Sequence, residues 1–123
     1  MPQMTNQTTK TQPKPTPMYG IYISGKMTGI ENFNRERFDA VAARLRTEGF
    51  TVFSPSEIIG TDDWSWSDYM RVSLKGMMES RALYVLQGYE TSKGACIEIE
   101  LAKQLDMNII YEPRESVTQS TTN

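Results

Sequence analysis

Short apolar segments alternate along the middle of the chain with longer segments whose apolar residues recur at helical spacing. Runs of four or five residues rich in β-branched and aromatic side chains, bounded by Ser, Gly or Pro, are typical of β-strands. Four such runs predict four strands: Tyr19–Ile23, Phe50–Phe53, Ala82–Leu86 and Asn108–Tyr111.

The segments between the strands predict three helices. The first covers Arg35–Glu48, with Asn34 as a good N-cap residue and Gly49 as a C-cap residue. Its apolar residues Phe38, Val41, Ala42 and Leu45 have helical spacing.

The second helix begins after a cap at Ser65 or Ser67 and ends near Ser80. The third helix covers Gly94–Leu105, and its apolar face is expected to contain Ile97, Leu101 and Leu105.

The order β-α-β-α-β-α-β predicts an α/β protein with a three-layer flavodoxin- or Rossmann-like fold. We expect a small parallel sheet of four or five strands with helices on both faces. The folded domain is predicted over residues 18–113, because the tails 1–17 and 114–123 are too polar to offset the entropy of ordering them.

The composition narrows the function classes. The net charge of −2 argues against a surface for duplex nucleic acid, which needs clustered Lys and Arg. The chain has no histidine, which argues against a zinc site and a Ser-His mechanism. The single cysteine, Cys96, is expected to be a small core residue.

The chain is expected to be cytoplasmic. It has no apolar run of about 18 residues that could cross a membrane. Its N-terminus lacks the apolar core of a secretion signal, and one cysteine cannot form an internal disulfide.

Parallel α/β sheets bind ligands beyond the carboxyl ends of their strands, so three loops are candidates: 24–33, 54–66 and 87–98. In the first loop, glycines allow the backbone to approach a ligand closely. The hydroxyls and amides of the same segment can hold an anion. Its candidate binding residues are Ser24, Gly25, Lys26, Met27 and Thr28. The segment is neither a Walker A loop nor a GxGxxG fingerprint, and an ordinary strand-to-helix turn explains it equally well.

The third loop leads into the third helix with Ser92, Gly94 and Glu98. Ser92 and the first amides of the helix can bind a phosphate or a hydroxyl. Glu98 lies in the second turn, where a carboxylate can act as a nucleophile or a base. The alternative is that Glu98 only stabilises the helix N-terminus.

The middle loop and the start of the second helix combine acids with two tryptophans, Trp64 and Trp66. The indole rings could stack on a base, and Asp68 is a candidate binding residue. The alternative is that the acids cap the helix while the rings pack on the sheet or at a subunit contact.

Together these segments resemble the nucleoside 2-deoxyribosyltransferase superfamily, and within it a branch of small phage and bacterial proteins related to 2′-deoxynucleoside 5′-phosphate N-hydrolases. That branch typically has S-G-P-M-T-G after a strand, then N and F, an N-P turn, W-x-x-Y, R-D-L, C-D and G-W-E-x-S-x-G-A-x-x-E with a following alanine. The matching residues here are Ser24–Gly29, Asn34, Phe38, Ser54–Pro55, Trp66–Tyr69, Gly88–Glu98 and Ala102.

The resemblance implies that Glu98 attacks the anomeric carbon of a 2-deoxyribosyl group, and that water or another base resolves the covalent intermediate. It also implies that Ser92 helps to hold a 5′-phosphate and that the backbone of 24–28 lines the pocket. Members are commonly homo-oligomers whose pocket is partly closed by a neighbouring subunit, and they use no metal or organic cofactor.

Three positions depart from the pattern of the branch. Ser73 stands where R-D-L has its aspartate, Arg81 replaces the acid of the C-D pair, and Lys26 replaces the usual proline. Losing acids and gaining a cation favours anion binding over proton transfer. Asp68 lies five residues before Ser73 and would not face the same way on a helix.

The leading hypothesis is an enzyme that acts on the N-glycosidic bond of a nucleoside or nucleotide and either hydrolyses it or transfers the deoxyribosyl group. The alternative is a non-catalytic nucleotide-binding protein on the same scaffold, such as a phage protein that sequesters a nucleotide signal. A third hypothesis is an interaction domain, which predicts no binding of small molecules.

Overall fold

Four parallel strands and three α-helices alternate along residues 11–113, the part of the chain that the computed structural model describes. In chain order they are β1 (Tyr19–Ser24), α1 (Arg35–Thr47), β2 (Val52–Phe53), α2 (Trp66–Met78), β3 (Ser80–Val85), α3 (Lys93–Gln104) and β4 (Asn108–Tyr111). Three short 3₁₀ segments lie in the connections: Glu31–Asn34, Pro55–Glu57 and Tyr89–Thr91.

The strands form one sheet in the order β2-β1-β3-β4, and every neighbouring pair is parallel. The register pairs Ile21 with both Val52 and Ala82, and Leu83 with Ile109. The chain moves outward from β1 first to one side and then to the other, so the switch in strand order lies between β1 and β3. This arrangement confirms the predicted α/β fold with four strands.

The two faces of the sheet carry separate apolar cores because side chains alternate along each strand. Ile21 and Ile23 of β1 pack against α1, whereas Tyr22 points to the opposite face, toward α2 and α3. The first core also takes the four helical residues predicted for α1: Phe38, Val41, Ala42 and Leu45. The helices therefore cover both faces, which gives three layers.

The predicted C-cap of α1 forms as expected, but the predicted N-cap residue does not cap the helix with its side chain. Gly49 has a φ of +100°, and the N–H of Phe50 donates to the Leu45 carbonyl, which closes the helix as predicted. Asn34 occupies the N-cap position, but its side chain forms no cap. Its amide donates instead to the Lys26 carbonyl over 2.9 Å, because the residue adopts a left-handed conformation with a φ of 60°.

The N-cap of α2 is Ser65 rather than Ser67. The Ser65 hydroxyl accepts a hydrogen bond from the Asp68 N–H over 3.1 Å, and the Asp68 carboxylate accepts one from the Ser65 N–H over 2.7 Å. The helix ends at Met78, two residues before the predicted end, because Ser80 already pairs in the sheet with Tyr19.

The predicted apolar face of α3 was wrong for Ile97 and Leu105, whereas Leu101 is half-buried and packs against the second core as predicted. Ile97 and Leu105 are 38% and 52% exposed, and Cys96, expected in the core, is exposed as well. The buried residues are Ala95, Glu98, Ile99 and Ala102. Small alanines let the helix lie close to the sheet, and this face turns Glu98 inward, which a search for large apolar residues does not detect.

No helix within residues 11–113 is both long and apolar enough to cross a membrane. The predicted tail over 114–123 lies outside the described residues, as does most of the tail over 1–17. Residues 11–17 form neither helix nor strand.

Candidate functional site

A cavity of about 660 Å³ lies at the carboxyl edge of the sheet, next to the switch in strand order. The loops that follow β1, β2 and β3 all contribute to its wall, as do the first turns of α2 and α3. This volume is in the range of cavities that bind small molecules and cofactors.

Glu98 lines the cavity although its side chain is only 5% exposed. Its carboxylate accepts hydrogen bonds from the Tyr22 hydroxyl over 2.7 Å and from the Ser24 hydroxyl over 2.6 Å. Both donors come from β1, where residues two apart point to the same face of the sheet. The strand therefore holds the carboxylate in one orientation.

Burial is what perturbs the ionisation of Glu98. Loss of water around the carboxylate raises the pKa of Glu98 from 4.5 to about 7, although the hydrogen bonds from Ser24 and Tyr22 act in the opposite direction. The pKa of Tyr22 is raised well above its ordinary value, mainly by burial and then by the neighbouring Glu98 charge. Tyr22 is therefore a neutral donor at neutral pH.

Ser73 lies at the same buried end of the cavity. It is 6% exposed and lines the cavity, and its hydroxyl acts to lower the pKa of the Tyr22 phenol against the larger effects of burial and of Glu98. Glu98 is the sole carboxyl group among the lining residues, so no second acid adds repulsion to the cost of burying it.

Aromatic rings form much of the remaining wall. Trp64 and Tyr69 make an edge-to-face pair with centroids 4.9 Å apart. Trp66 and Phe33 also line the cavity. Flat apolar rings at this position can pack against a planar ligand such as a nucleobase.

Three cations line the cavity. The Lys26 ammonium donates to the Thr91 hydroxyl over 2.8 Å. The other two cations lie against aromatic rings: the Lys93 ammonium is 4.4 Å from the Trp66 ring centroid, and the Arg35 guanidinium is 5.5 Å from the Phe33 centroid. Other basic residues form the ion pairs found within residues 11–113, so none of these three is paired with a carboxylate there. The wall therefore carries a surplus of positive charge that an anionic ligand can neutralise.

A protein-family model described as "Domain of unknown function (DUF4406)" matches residues 19–111, about three quarters of the chain. The chain belongs to this family. No curated protein matches it. The family description names no activity, so the resemblance to the nucleoside 2-deoxyribosyltransferase superfamily stays a prediction.

Most of the predicted site residues of this DUF4406 domain come together at one cavity. Those that line it are Gly25, Lys26, Met27, Thr28, Ser92, Gly94 and Glu98. Ser92 is also the N-cap of α3, where its hydroxyl accepts a hydrogen bond from the Ala95 N–H over 3.1 Å.

Two of the predicted residues of the domain do not line the cavity. Ser24 is fully buried behind Glu98 and does not line the cavity, because its hydroxyl is used by the carboxylate. Asp68 does not line the cavity either, since its carboxylate completes the capping box of α2 with Ser65.

Three residues of the site were not predicted from the sequence: Tyr22, which bonds Glu98, and Phe33 and Arg35, which line the cavity. A tyrosine inside an apolar strand is a usable signal, because a buried phenol needs a hydrogen-bond partner. Phe33 and Arg35 gave no such signal. They face the cavity because residues 32–34 adopt three consecutive left-handed conformations, which the sequence pattern does not indicate.

The described part of the DUF4406 domain contains no cluster of three or more His, Cys, Asp or Glu side chains that could hold a metal ion. The residues that line the cavity offer one buried carboxyl group, several hydroxyls, aromatic rings and three cations.

Proposed function

We propose that this protein cleaves the N-glycosidic bond of a nucleoside or nucleotide, with Glu98 as the nucleophile. The deoxyribosyl group would pass to water or to a second base. The observation that carries the proposal is a buried carboxylate that lines a cavity of ligand size and accepts two hydrogen bonds. A carboxyl group buried in this way costs folding free energy, and a role in catalysis explains why it is present.

The covalent steps of the proposed reaction are those that the resemblance to the nucleoside 2-deoxyribosyltransferase superfamily implies. An ionised Glu98 oxygen forms a bond to C1′ of the sugar, while the bond from C1′ to the base nitrogen breaks and its electron pair leaves with the base. The base then takes up a proton from water. Water, or the N–H nitrogen of a second base, then attacks C1′, the bond from C1′ to the carboxylate breaks, and the attacking group releases its proton to the hydroxide left in solvent, as in a retaining glycosidase.

Tyr22 and Ser24 would position the nucleophile. Their hydroxyls hold both carboxylate oxygens, which limits rotation of the side chain before reaction. The raised pKa of about 7 leaves a substantial ionised fraction at neutral pH and gives a more basic carboxylate than an exposed one.

The rest of the cavity suits the other parts of such a substrate. The aromatic wall can pack against a base, and Ser92 with the nearby cations can hold an anionic 5′ group. The resemblance of Gly88–Ala102 to the superfamily pattern, in which the matching glutamate is the nucleophile, supports the same assignment.

The test is release of free base. Purified protein is incubated with each deoxynucleoside and each deoxynucleoside 5′-monophosphate, and the products are separated by chromatography. We expect the wild type to release base from at least one substrate, and Glu98→Gln to reduce the rate by at least a thousandfold, because the amide is not a nucleophile.

Glu100→Gln is the matched control. Glu100 lies on the same helix but is exposed, and its carboxylate accepts a hydrogen bond only from Gln104 among the described residues. It should keep the activity of the wild type. Equal activity of Glu98→Gln and the wild type would show that Glu98 is not the nucleophile. Absence of base release from every substrate would reject the proposed reaction.

A non-catalytic nucleotide-binding protein is the second candidate. It is favoured by Ser73, which stands where the resembling branch has an aspartate. It is also favoured by the three cations around one carboxyl group, none of which forms an ion pair within residues 11–113. This candidate predicts saturable binding of nucleotides to wild type and Glu98→Gln alike, with no base released by either.

A further inference from the structure

Resting on the proposed function, we propose that Lys26 selects a 5′-phosphorylated nucleotide over the corresponding free nucleoside. The proposal concerns substrate class and leaves the bond-breaking step to Glu98. It stands on the anchoring of Lys26, on its present hydrogen-bond partner and on its placement relative to Glu98.

The backbone of Lys26 is held in place. Its carbonyl accepts the Asn34 side-chain amide over 2.9 Å. The preceding residue, Gly25, packs so closely on Leu86 that an added Cβ would lie 3.0 Å from that side chain. The loop therefore presents the lysine at a defined point of the cavity wall.

The ammonium group of Lys26 has a weak partner for a cation. It donates to the neutral hydroxyl of Thr91 over 2.8 Å, and it forms no ion pair within the described part of the chain. Thr91 immediately precedes Ser92 and Lys93, which also line the cavity. A phosphate bound there would give the ammonium an acceptor of opposite charge, which the neutral hydroxyl of Thr91 does not supply.

A short length of α3 separates the start of this helix from Glu98, and both ends of that length line the cavity. Lys93 begins the helix and Glu98 lies five residues later, which corresponds to about 7.5 Å along the helix axis. A pentose whose C1′ faces Glu98 can direct its 5′ carbon toward the start of α3, where Lys26 contacts Thr91. A phosphate on that carbon would then meet Lys26, whereas a free 5′-hydroxyl would gain no ionic contact.

The competing explanation is that Lys26 only ties two loops together through Thr91. In that case its replacement would weaken the binding of nucleosides and nucleotides by the same factor. Selection by charge instead changes the ratio of the two affinities, and this ratio is the quantity to measure.

The experiment uses the full chain with Glu98→Gln, so that substrates are not consumed. Isothermal titration calorimetry gives the Kd of the deoxynucleoside 5′-monophosphates and of the matching deoxynucleosides. Three further changes are compared on this background: Lys26→Met, Lys26→Arg and Lys103→Met. Lys103 is an exposed control in the last turn of α3.

We expect at least one monophosphate to bind about tenfold or more tightly than its nucleoside. Lys26→Met should remove most of this preference, whereas Lys26→Arg and Lys103→Met should keep it. Equal binding of both classes, absence of monophosphate binding, an unchanged ratio in Lys26→Met, or loss of the ratio in Lys26→Arg would each overturn the proposal.

Failure of this proposal is distinguishable from failure of the proposed function. A Lys26-dependent preference without any base release would reject only the N-glycosidic reaction. Base release from nucleosides and monophosphates with equal kcat/KM would reject only the selection by Lys26.

Discussion

At the scale of single residues, the molecule departs from ordinary packing at Glu98. A carboxyl group occupies a position on α3 whose neighbours on the buried face, Ala95, Ile99 and Ala102, are apolar. Tyr22 and Ser24 satisfy its oxygens, but they do not offset the loss of water, so the pKa stays raised. Stability is therefore coupled to pH through this residue.

The sign of that coupling is defined. Because the folded protein holds the proton up to about pH 7 while an exposed glutamate loses it near 4.5, stability is lost as the pH rises through this interval. The loss from this group corresponds to about 3 kcal/mol. We expect the free energy of unfolding of Glu98→Gln, relative to wild type, to increase by about this amount between the two pH values.

Urea unfolding at a series of pH values, followed by circular dichroism, measures this difference. Glu100→Gln serves as the control, because an exposed carboxylate should give a curve parallel to that of the wild type. Parallel curves for Glu98→Gln and the wild type would show that burial does not perturb the ionisation of Glu98.

The sequence identified Glu98, Ser92 and the loop from Gly25 to Thr28 as candidates because turn residues and a carboxylate follow predicted strands. It could not identify Tyr22 as the partner of Glu98. That contact joins residues far apart in the chain, and it depends on which face of β1 meets α3.

At the scale of elements, strand and helix identities followed from local periodicity, and β4 was predicted with its observed bounds. The predicted strand at Phe50–Phe53 is shorter in the structure, since only Val52–Phe53 pairs with β1. The face of α3 was not predictable from the spacing of its large apolar residues, because tertiary packing buries Ile99 with two alanines and Glu98 and leaves Ile97 and Leu105 exposed.

The beginning of α2 gives a test at this scale. Ser65→Ala removes the hydroxyl that accepts the Asp68 N–H, and we expect it to lower the free energy of unfolding by about 1 kcal/mol. Ser67→Ala is the control, because Ser67 is exposed and lies inside the helix. Equal unfolding midpoints of the two variants in urea would contradict the assignment of the cap.

At the scale of the whole molecule, the order β2-β1-β3-β4 brings three connecting loops to one edge of the sheet. The general rule for such sheets predicted this edge from the order of elements alone. The side chains that face the cavity required the structure, because residues 32–34 leave the ordinary helical and extended regions.

A ligand that fills this cavity should stabilise the folded chain, because the cavity exists only when all three loops are in place. At a hundred times its Kd, a nucleotide should contribute about 2.7 kcal/mol and raise Tm by roughly 10 °C. Differential scanning fluorimetry with a nucleotide panel measures this shift, with inorganic phosphate as the control. An unchanged Tm with every nucleotide would favour the interaction-domain hypothesis instead.

The two tryptophans of the chain, Trp64 and Trp66, both lie in the wall of this cavity. Their intrinsic fluorescence therefore originates where a ligand would sit. A base stacked on either indole, or an anion that draws Lys93 away from Trp66, would change the emission directly. The protein thus contains its own optical reporter of occupancy, and neither a dye nor a label is needed to follow binding in real time.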